Sequence, residues 1–247
     1  MHRPLLCLAG LLLGGCSTDK EGPYQAPGAR YDLSHWKLTL PDADASEVDS
    51  ARLRGGYASR YFHLAGDGSM AFVAPAGGGS TRNSDYPRAE LRELLDPADD
   101  NRNWSVAGSH QLNASAQVLR APSTQKIIVG QIHGFDARPL VKLQWHKGQL
   151  KALIKRHPKG SNEEYKHSFA AQVGNAPFSY AITMRDGVVT VQVEGERIQY
   201  DVLASDPAWR EVRFYFKAGA YVQDDDRDGD EDVGEVRFTQ LAVRHGD

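Results

Sequence analysis

The chain is poor in cysteine and has no long hydrophobic segment. Its 247 residues include two cysteines, Cys7 and Cys16, both near the N-terminus. The longest apolar run, Leu5 to Leu13, is too short to span a bilayer as a helix of the mature protein. If that run is a cleaved leader, Cys16 is the one remaining cysteine, and an internal disulfide is excluded.

Sustained helical periodicity, a strong positive charge and a nucleotide-binding motif are also missing. The formal net charge is −3 at pH 7, which indicates no affinity for nucleic acid. The glycine-rich segment 77–84 is followed neither by a Lys-Ser/Thr pair nor by a helical pattern, so it does not predict a phosphate-binding loop. Hydrophobic residues make up 40% of the chain and no composition break occurs within 30–247, which indicates one sizeable domain.

The N-terminus has the pattern of an exported protein. Arg3 precedes the apolar run, and residues 1–15 are predicted to be a signal peptide. Leu13-Gly14-Gly15-Cys16 resembles a bacterial lipobox, which predicts a lipid on Cys16, and residues 16–29 are predicted to be a polar tether. We expect a protein attached to the outer membrane through that lipid alone; an unlipidated chain would be periplasmic or secreted.

Short alternations of apolar and polar residues recur along 30–247 and predict an all-β fold. Successive side chains of a strand point to opposite faces, so each alternation marks a strand with one buried face. The predicted architecture is a single-domain antiparallel β-sandwich of jelly-roll type. Its predicted strands are 36–41, 61–64, 70–73, 86–93, 126–133, 141–146, 150–155, 179–185, 188–193, 212–223 and 236–243.

The predicted strand 212–223 has an apolar back and a polar front. Its back positions are all Val, Phe or Ala, whereas its front positions hold Arg213, Tyr215, Lys217, Gly219, Tyr221 and Gln223. Gly219 removes a side chain in mid-strand, where another group could approach the backbone closely. A half-exposed strand with ordinary polar side chains is the competing interpretation.

Two further strands place polar side chains over an apolar back. Arg88, Glu90 and Arg92 share one face, so we expect a carboxylate held ionised between two guanidiniums. A solvated salt-bridge ladder is the alternative.

Gln131 and His133 share one face of the strand 126–133. A lone histidine is more often structural, but here it belongs to a third strand with a polar front.

Together these strands resemble polysaccharide lyase family 7, the alginate lyases. Arg88-Ala-Glu-Leu-Arg92, Gln131-Ile-His133 and Tyr215-Phe-Lys-Ala-Gly-Ala-Tyr-Val-Gln223 resemble three family motifs and occur in the family's order. The segments 36–41 and 83–87 are also similar, and the resemblance covers about residues 30–245. Ala89 departs from the family's Ser or Thr, and the segment after Gln223 is a longer departure.

The resemblance implies β-elimination on alginate, a 1→4-linked polymer of mannuronate and guluronate, in a concave cleft and without a metal or cofactor. It implies that Arg88 and Gln131 neutralise the uronate carboxylate, that His133 is the base and Tyr221 the acid on guluronate, and that Tyr221 serves both steps on mannuronate. In the family, a Gln-Ile-His motif such as Gln131-Ile-His133 is associated with action on guluronate-containing blocks. A monomer with polyuronate as its partner is expected. The substrate-binding residues implied are Asn83, Glu90, Arg92, Lys142, Tyr215, Lys217 and Gln223.

The segment after the third motif is strongly acidic. Asp224 to Glu235 holds eight acids and one arginine, whereas the rest of the chain after removal of Arg3 has 27 basic and 24 acidic residues. The segment matches the twelve-residue EF-hand pattern, with Asp224, Asp226, Asp228 and Glu235 as possible ligands of a structural calcium ion. Because strands and not helices flank it, a solvated acidic turn is the competing interpretation.

Three other functions remain open from the sequence. A non-catalytic polyuronate-binding jelly roll would keep the cleft but would need no base and acid. A glycoside hydrolase needs two suitably spaced carboxyl groups, and Glu90 is the one carboxyl expected on the polar face. A calcium-dependent adhesin would use the acidic segment.

Overall fold

The computed structural model describes residues 24–82, 84–226, 228–229 and 231–246. The predicted signal peptide and Cys16 lie outside these residues, as does Asn83. The described end of the predicted tether packs on the domain, because Pro27 is buried and the Gln25 carbonyl accepts a hydrogen bond of 2.8 Å from the Leu64 amide. The fold therefore includes residues from Tyr24 onward, six earlier than predicted.

Strands dominate the described chain. No helix in its described part is long and apolar enough to cross a membrane. The helical elements are two short α-helices, α1 (Ser50–Arg54) and α2 (Val202–Ser205), and two 3-10 turns at Pro27–Ala29 and Pro207–Glu211. The strands are β1 (Trp36–Thr39), β2 (Glu47–Val48), β3 (Phe62–Leu64), β4 (Met70–Pro75), β5 (Arg88–Glu93), β6 (Ser109–Arg120), β7 (Lys126–Phe135), β8 (Pro139–His146), β9 (Gln149–Lys155), β10 (Glu164–Gln172), β11 (Phe178–Arg185), β12 (Val188–Val193), β13 (Glu196–Asp201), β14 (Arg213–Val222) and β15 (Val233–Gly246).

The strands form two antiparallel sheets, which confirms the predicted β-sandwich. The front sheet has the order β10-β9-β8-β7-β14-β5-β1-β2, and the back sheet has the order β13-β12-β11-β6-β15-β4-β3. Neighbouring strands of each sheet are often distant in sequence, as in a jelly roll. The core lies between the sheets and takes the apolar face of nearly every strand.

Strand β14 shows how the alternation in the sequence builds this core. Phe214, Phe216, Ala218, Ala220 and Val222 are fully buried against the back sheet. The alternate positions therefore face outward from the front sheet, as predicted. The outer face of β14 therefore lies over a fully buried apolar layer.

A pair of β-bulges interrupts the front sheet at its centre. Ala218 pairs with Gly130 but Tyr221 pairs with Ile128, so β14 carries one extra residue relative to β7. Strand β7 carries an extra residue relative to β8 between Ile128 and Gly130. The Val129 carbonyl, inside this irregularity, accepts a buried hydrogen bond of 2.8 Å from Tyr180 Oη on the back sheet. Bulges of this kind re-aim side chains and are common beside active sites.

Gly219 lies in the bulge of β14, and another group approaches its backbone closely there, as predicted. Its φ is +153°, and a Cβ atom there would lie 2.4 Å from the Ala89 carbonyl oxygen and 2.7 Å from Glu90 Cα. The group that approaches Gly219 is therefore the backbone of the neighbouring strand β5, and no space for a ligand is needed to explain the glycine.

Candidate active site

Strands β5, β7 and β14 are neighbours in the front sheet and bring the three predicted polar faces together. Their register aligns one residue from each of five strands in a row, namely Lys142, Gln131, Lys217, Arg92 and Lys37. Tyr221 pairs with Arg88 on one side of this row, and Tyr215 pairs with His133 on the other. These residues line a single cleft of about 490 Å³.

Glu90 lies at the buried centre of the site. One of its oxygens, Oε1, accepts a hydrogen bond of 2.5 Å from Gln131 Nε2. The other, Oε2, lies 2.5 Å from Lys217 Nζ and 3.7 Å from Arg88 Nη1. The Glu90 side chain is fully buried and that of Lys217 is 8% exposed, so this is a buried ion pair. Burial lowers the pKa of Lys217, the Glu90 charge opposes that shift, and Arg88 adds to it.

The prediction that Glu90 lies between two guanidiniums is wrong for one of them. Arg92 donates hydrogen bonds to the backbone oxygens of Glu93 and Asp100 and to Asn103 Oδ1, at 2.6 to 2.8 Å. It also stacks 4.2 Å from the centre of the Tyr215 ring. Arg92 is thus held toward one end of the cleft, and Lys217 takes the expected place of the second cation.

Arg88 and Gln131 have hydrogen-bonding atoms left over. The Arg88 guanidinium lies 3.8 Å from the centre of the Tyr221 ring, and its Nε and Nη2 atoms are buried without a hydrogen-bond partner. Gln131 Oε1 is also buried without a partner. A buried donor without a partner is costly, so unsatisfied groups of this kind are expected where a polar ligand binds.

His133 is held as a neutral imidazole. Its Nδ1 lies 2.8 Å from the Gly134 carbonyl oxygen, which only accepts, so Nδ1 carries the proton and Nε2 keeps its lone pair. The Tyr215 ring stacks on the imidazole at 5.2 Å, with Tyr215 Oη 3.1 Å from Nδ1. Burial, followed by the positive charges of Lys217, Arg88 and Arg92, lowers the pKa of His133 to about 3.

This lowered pKa predicts a specific loss of stability in acid. A histidine in the unfolded chain has a pKa near ~6.5, so between that pH and about 3 the unfolded state binds a proton that the folded state does not. The unfolding free energy should therefore fall as the pH falls from ~6.5. In His133→Asn the slope between pH ~6 and ~4 should be smaller by up to about 1.4 kcal/mol per pH unit.

Denaturant unfolding at a series of pH values measures this slope. His110, whose pKa is also lowered, chiefly by burial, is present in both proteins, so the difference between them isolates His133. Equal slopes in wild type and His133→Asn would contradict the neutral state of this half-buried imidazole.

Tyr221 contacts three side chains of the site, and two of them, Ser84 and Tyr86, were missed from the sequence. Its ring lies under the Arg88 guanidinium, and its Oη lies 2.9 Å from Ser84 Oγ. Tyr86 packs edge-on against the Tyr221 ring at 6.4 Å. Ser84 and Tyr86 belong to the segment 83–87, whose resemblance to the family was the one available signal. Nothing in a strand alternation points to a serine outside the strand.

The other predicted substrate-binding residues lie in the same cleft but are not equally free. Lys142 forms an ion pair of 3.0 Å with Glu164 on β10, and Lys217 is committed to Glu90. Gln223 lines the cleft, and its Nε2 is buried without a partner. Burial raises the pKa of Tyr215 to about 12, so its phenol stays protonated and can donate to a sugar oxygen.

The acidic segment does not assemble the predicted calcium ligands. Asp224 is buried, and its Oδ2 accepts hydrogen bonds of 3.0 Å from the Ser123 hydroxyl and the Thr124 amide. Glu235 lies in β15 and pairs with Arg120 and Arg237. Within the described residues no group of three or more His, Cys, Asp or Glu side chains could hold a metal ion. The EF-hand pattern therefore corresponds here to a strand connection in which the two end carboxylates have protein partners.

Comparisons with known proteins identify the same family that the sequence motifs resemble. The sequence profile of a family described as alginate lyase matches residues 31–245. An alginate lyase from Klebsiella pneumoniae is 28% identical, in an alignment that covers 93% of this chain and 94% of that protein.

Solved structures extend this similarity to the fold. Alginate lyase A1-II', described as a member of polysaccharide lyase family 7, is 40% identical with a TM-score of 0.87, over 90% of this chain and 99% of its own. An alginate lyase from Pseudomonas aeruginosa is 33% identical with a TM-score of 0.80, over 87% and 100% of the two chains. With its jelly-roll fold and a family match over nearly all of the described residues, the chain belongs to the alginate lyase family and is a polysaccharide lyase.

Proposed function

We propose that the protein cleaves the 1→4 linkages of alginate by β-elimination without a metal ion, leaving 4,5-unsaturated uronate ends. The observation that carries the proposal is one cleft in which unpartnered donors of Arg88 lie beside Gln131, a neutral His133 and Tyr221. Each of these groups answers a separate requirement of the reaction.

The first requirement is to cancel the charge of the substrate carboxylate. The proton on C5 is a weak acid while the adjacent carboxylate keeps its full charge, because its removal creates a second negative charge. Donors fixed in advance stabilise that charge without reorganisation. Arg88 offers Nε and Nη2 for this role, and Glu90 holds the Gln131 amide through a 2.5 Å hydrogen bond.

The second requirement is a base and an acid. On guluronate, His133 Nε2 removes the C5 proton, the electron pair forms the C4–C5 double bond, the C4–O4 bond breaks, and Tyr221 protonates O4. On mannuronate, where the proton and the leaving group lie on the same side, an ionised Tyr221 removes the C5 proton and returns it to O4. The Gln-Ile-His sequence favours guluronate-containing blocks as the preferred substrate.

A hydrolase mechanism has less support in this cleft. Inverting and retaining glycosidases both need two free carboxyl groups. Glu90 is buried and committed to Gln131 and Lys217, while Glu47 and Asp100 at the rim both pair with Lys37. A non-catalytic binding module would have no need for a neutral imidazole and a phenol beside an open guanidinium.

Incubation with alginate tests the proposal. An ultraviolet-absorbing unsaturated uronate should appear with each cut, whether or not a chelator is present. Separate polyguluronate and polymannuronate substrates then measure the block preference. Alginate lyase A1-II' has been solved with a substrate written GGMG and a product written GGG, so oligomers of both uronates are suitable probes. New reducing ends without the chromophore would overturn the proposal.

We also propose that the mature chain begins at a lipidated Cys16 and is attached to the outer membrane through that lipid. The support is the lipobox-like sequence before Cys16 and the lack of any other cysteine after it. Mass analysis of the mature N-terminus measures this directly. An unmodified terminus at another residue would contradict it.

A further inference from the structure

Ser84 lies outside the strands and contacts the phenol of Tyr221. It belongs to the segment between β4 and β5, and its Oγ lies 2.9 Å from Tyr221 Oη. The same oxygen accepts a hydrogen bond of 3.1 Å from the Tyr86 amide and lies 3.4 Å from the Tyr86 carbonyl. The serine hydroxyl is therefore fixed by its own backbone and aimed at the phenol.

A hydroxyl in this position can serve the phenol in both of its protonation states. It has one donor and two acceptor positions, and the Tyr86 amide occupies one acceptor. When Tyr221 is protonated, its O–H can donate to Ser84 Oγ while the serine proton points to the Tyr86 carbonyl. When Tyr221 is ionised, the serine proton can turn to the phenolate oxygen and form a charge-assisted hydrogen bond.

We propose that Ser84 is a positioning residue that holds the Tyr221 oxygen and stabilises its ionised form, and thereby supports cleavage of mannuronate more than cleavage of guluronate. The inference rests on the proposed function. On mannuronate the reaction starts from an ionised Tyr221, because the phenolate is the base. On guluronate it starts from the protonated phenol, because His133 is the base. A group that favours the phenolate therefore raises the fraction of enzyme that is ready to cleave mannuronate, and it does not do so for guluronate.

The other groups around the phenol do not replace this hydroxyl. Arg88 covers the face of the Tyr221 ring at 3.8 Å and helps the phenolate through its charge, but its Nε and Nη2 atoms donate no hydrogen bond to the Tyr221 oxygen. Tyr86 meets the ring edge, and burial together with Asp225, Tyr221, Asp85 and Asp224 raises its pKa, so it stays neutral. The remaining titratable groups of the cleft, His133 and Lys217 among them, are unchanged in a Ser84 variant.

The experiment compares wild type, Ser84→Ala, Ser84→Thr and Ser80→Ala on polymannuronate and polyguluronate across a pH series. Ser80 is exposed in the same segment and serves as the matched control. In Ser84→Ala, the low-pH limb of the kcat/KM profile on polymannuronate should move to higher pH by about one unit. At pH values on that limb, kcat/KM should be about tenfold lower than in wild type. The loss of one hydrogen bond to a charged group accounts for a change of about this size. The change on polyguluronate should be smaller and should not shift with pH. Ser84→Thr keeps the hydroxyl and should restore most of the mannuronate activity.

Two results would overturn the role of Ser84. One is a Ser84→Ala profile that coincides with that of Ser80→Ala, and the other is an equal loss on both polymers without a shift in pH. A wild type that forms no unsaturated product would instead overturn the proposed function. In that case ultraviolet titration still tests the contact. The signal of Tyr221 is identified by its absence from Tyr221→Phe, and this phenol should ionise at a higher pH in Ser84→Ala than in wild type.

Discussion

Replacing Tyr221 with phenylalanine is expected to lower kcat on alginate by about 10²- to 10⁴-fold, the contribution of one positioned general acid or base. The ring that packs 3.8 Å beneath the Arg88 guanidinium is kept, and only the Oη atom is lost. Affinity for alginate oligomers should therefore stay close to that of wild type. The rate of chromophore formation measures kcat, and calorimetric titration with the slowly reacting variant measures binding.

Tyr31→Phe is the matched control for this change. Tyr31 Oη also donates to protein groups, the carbonyls of Gly68 and Phe238, but Tyr31 lies away from the cleft. Its loss should lower stability and leave kcat unchanged. Turnover by Tyr221→Phe near the wild-type rate would remove Tyr221 from the reaction, and a loss of binding equal to the loss of rate would make it a substrate-binding residue only.

The faces of the three central strands could be predicted because they depend on a period of two. In β14 the alternation of Phe214 and Phe216 with Tyr215 and Lys217 determines which side chains meet the core, whatever the neighbouring strands are. That β5, β7 and β14 are adjacent came from the resemblance to a family. The alternation by itself carries no information about which strands pair.

Four strands of the structure were not predicted, namely β2, β6, β10 and β13, and β2 is an edge strand of two residues. The inner face of β6 includes Ala114 and Ala116, so its alternation has little hydrophobic contrast although it lies at the centre of the back sheet. Strands β10 and β13 are edge strands, and most of their residues stay partly exposed. An edge strand buries few side chains, so selection for apolar residues at alternate positions is weak.

The contacts that hold the site together depend on three-dimensional neighbours and could not be predicted. Arg92 has the same spacing from Glu90 as Arg88, yet its guanidinium bonds to the loop at Asp100 and Asn103. Lys217 reaches Glu90 from the adjacent strand β14, where it pairs with Arg92. Sequence spacing along one strand cannot distinguish these partners.

Replacing Glu90 with glutamine is expected to lower the unfolding free energy by roughly 3–5 kcal/mol, the usual cost of leaving one partner of a buried ion pair without its counter-charge. In the wild type, Lys217 Nζ lies 2.5 Å from the Glu90 carboxylate. The glutamine amide has the same shape but would place an NH₂ group or a neutral oxygen against that ammonium. Arg88 would lose the same partner at 3.7 Å. Activity should fall as well, because Gln131 Nε2 is held by Glu90 Oε1.

Glu47→Gln is the control at the rim of the same cleft. Glu47 pairs with Lys37 at 3.0 Å, but its side chain is 54% exposed, so its loss should cost no more than about 1 kcal/mol. Denaturant unfolding measures both variants, and chromophore formation measures the activity of each. Equal losses of stability at Glu47 and Glu90 would contradict the assignment of Glu90 as the buried centre of the charge network.

A double variant, Glu90→Gln with Lys217→Met, separates the effect of Glu90 on stability from its effect on the reaction. Removing both charges leaves no uncompensated lysine, so much of the lost stability should return, as it does when buried ion pairs are replaced as a unit. Activity should not return with it, because Arg88 and Gln131 would still lack the carboxylate that orients them. Recovery of both together would mean that Glu90 serves stability alone. Recovery of stability without turnover is the result expected if its charge also prepares Arg88 and Gln131 for the substrate carboxylate.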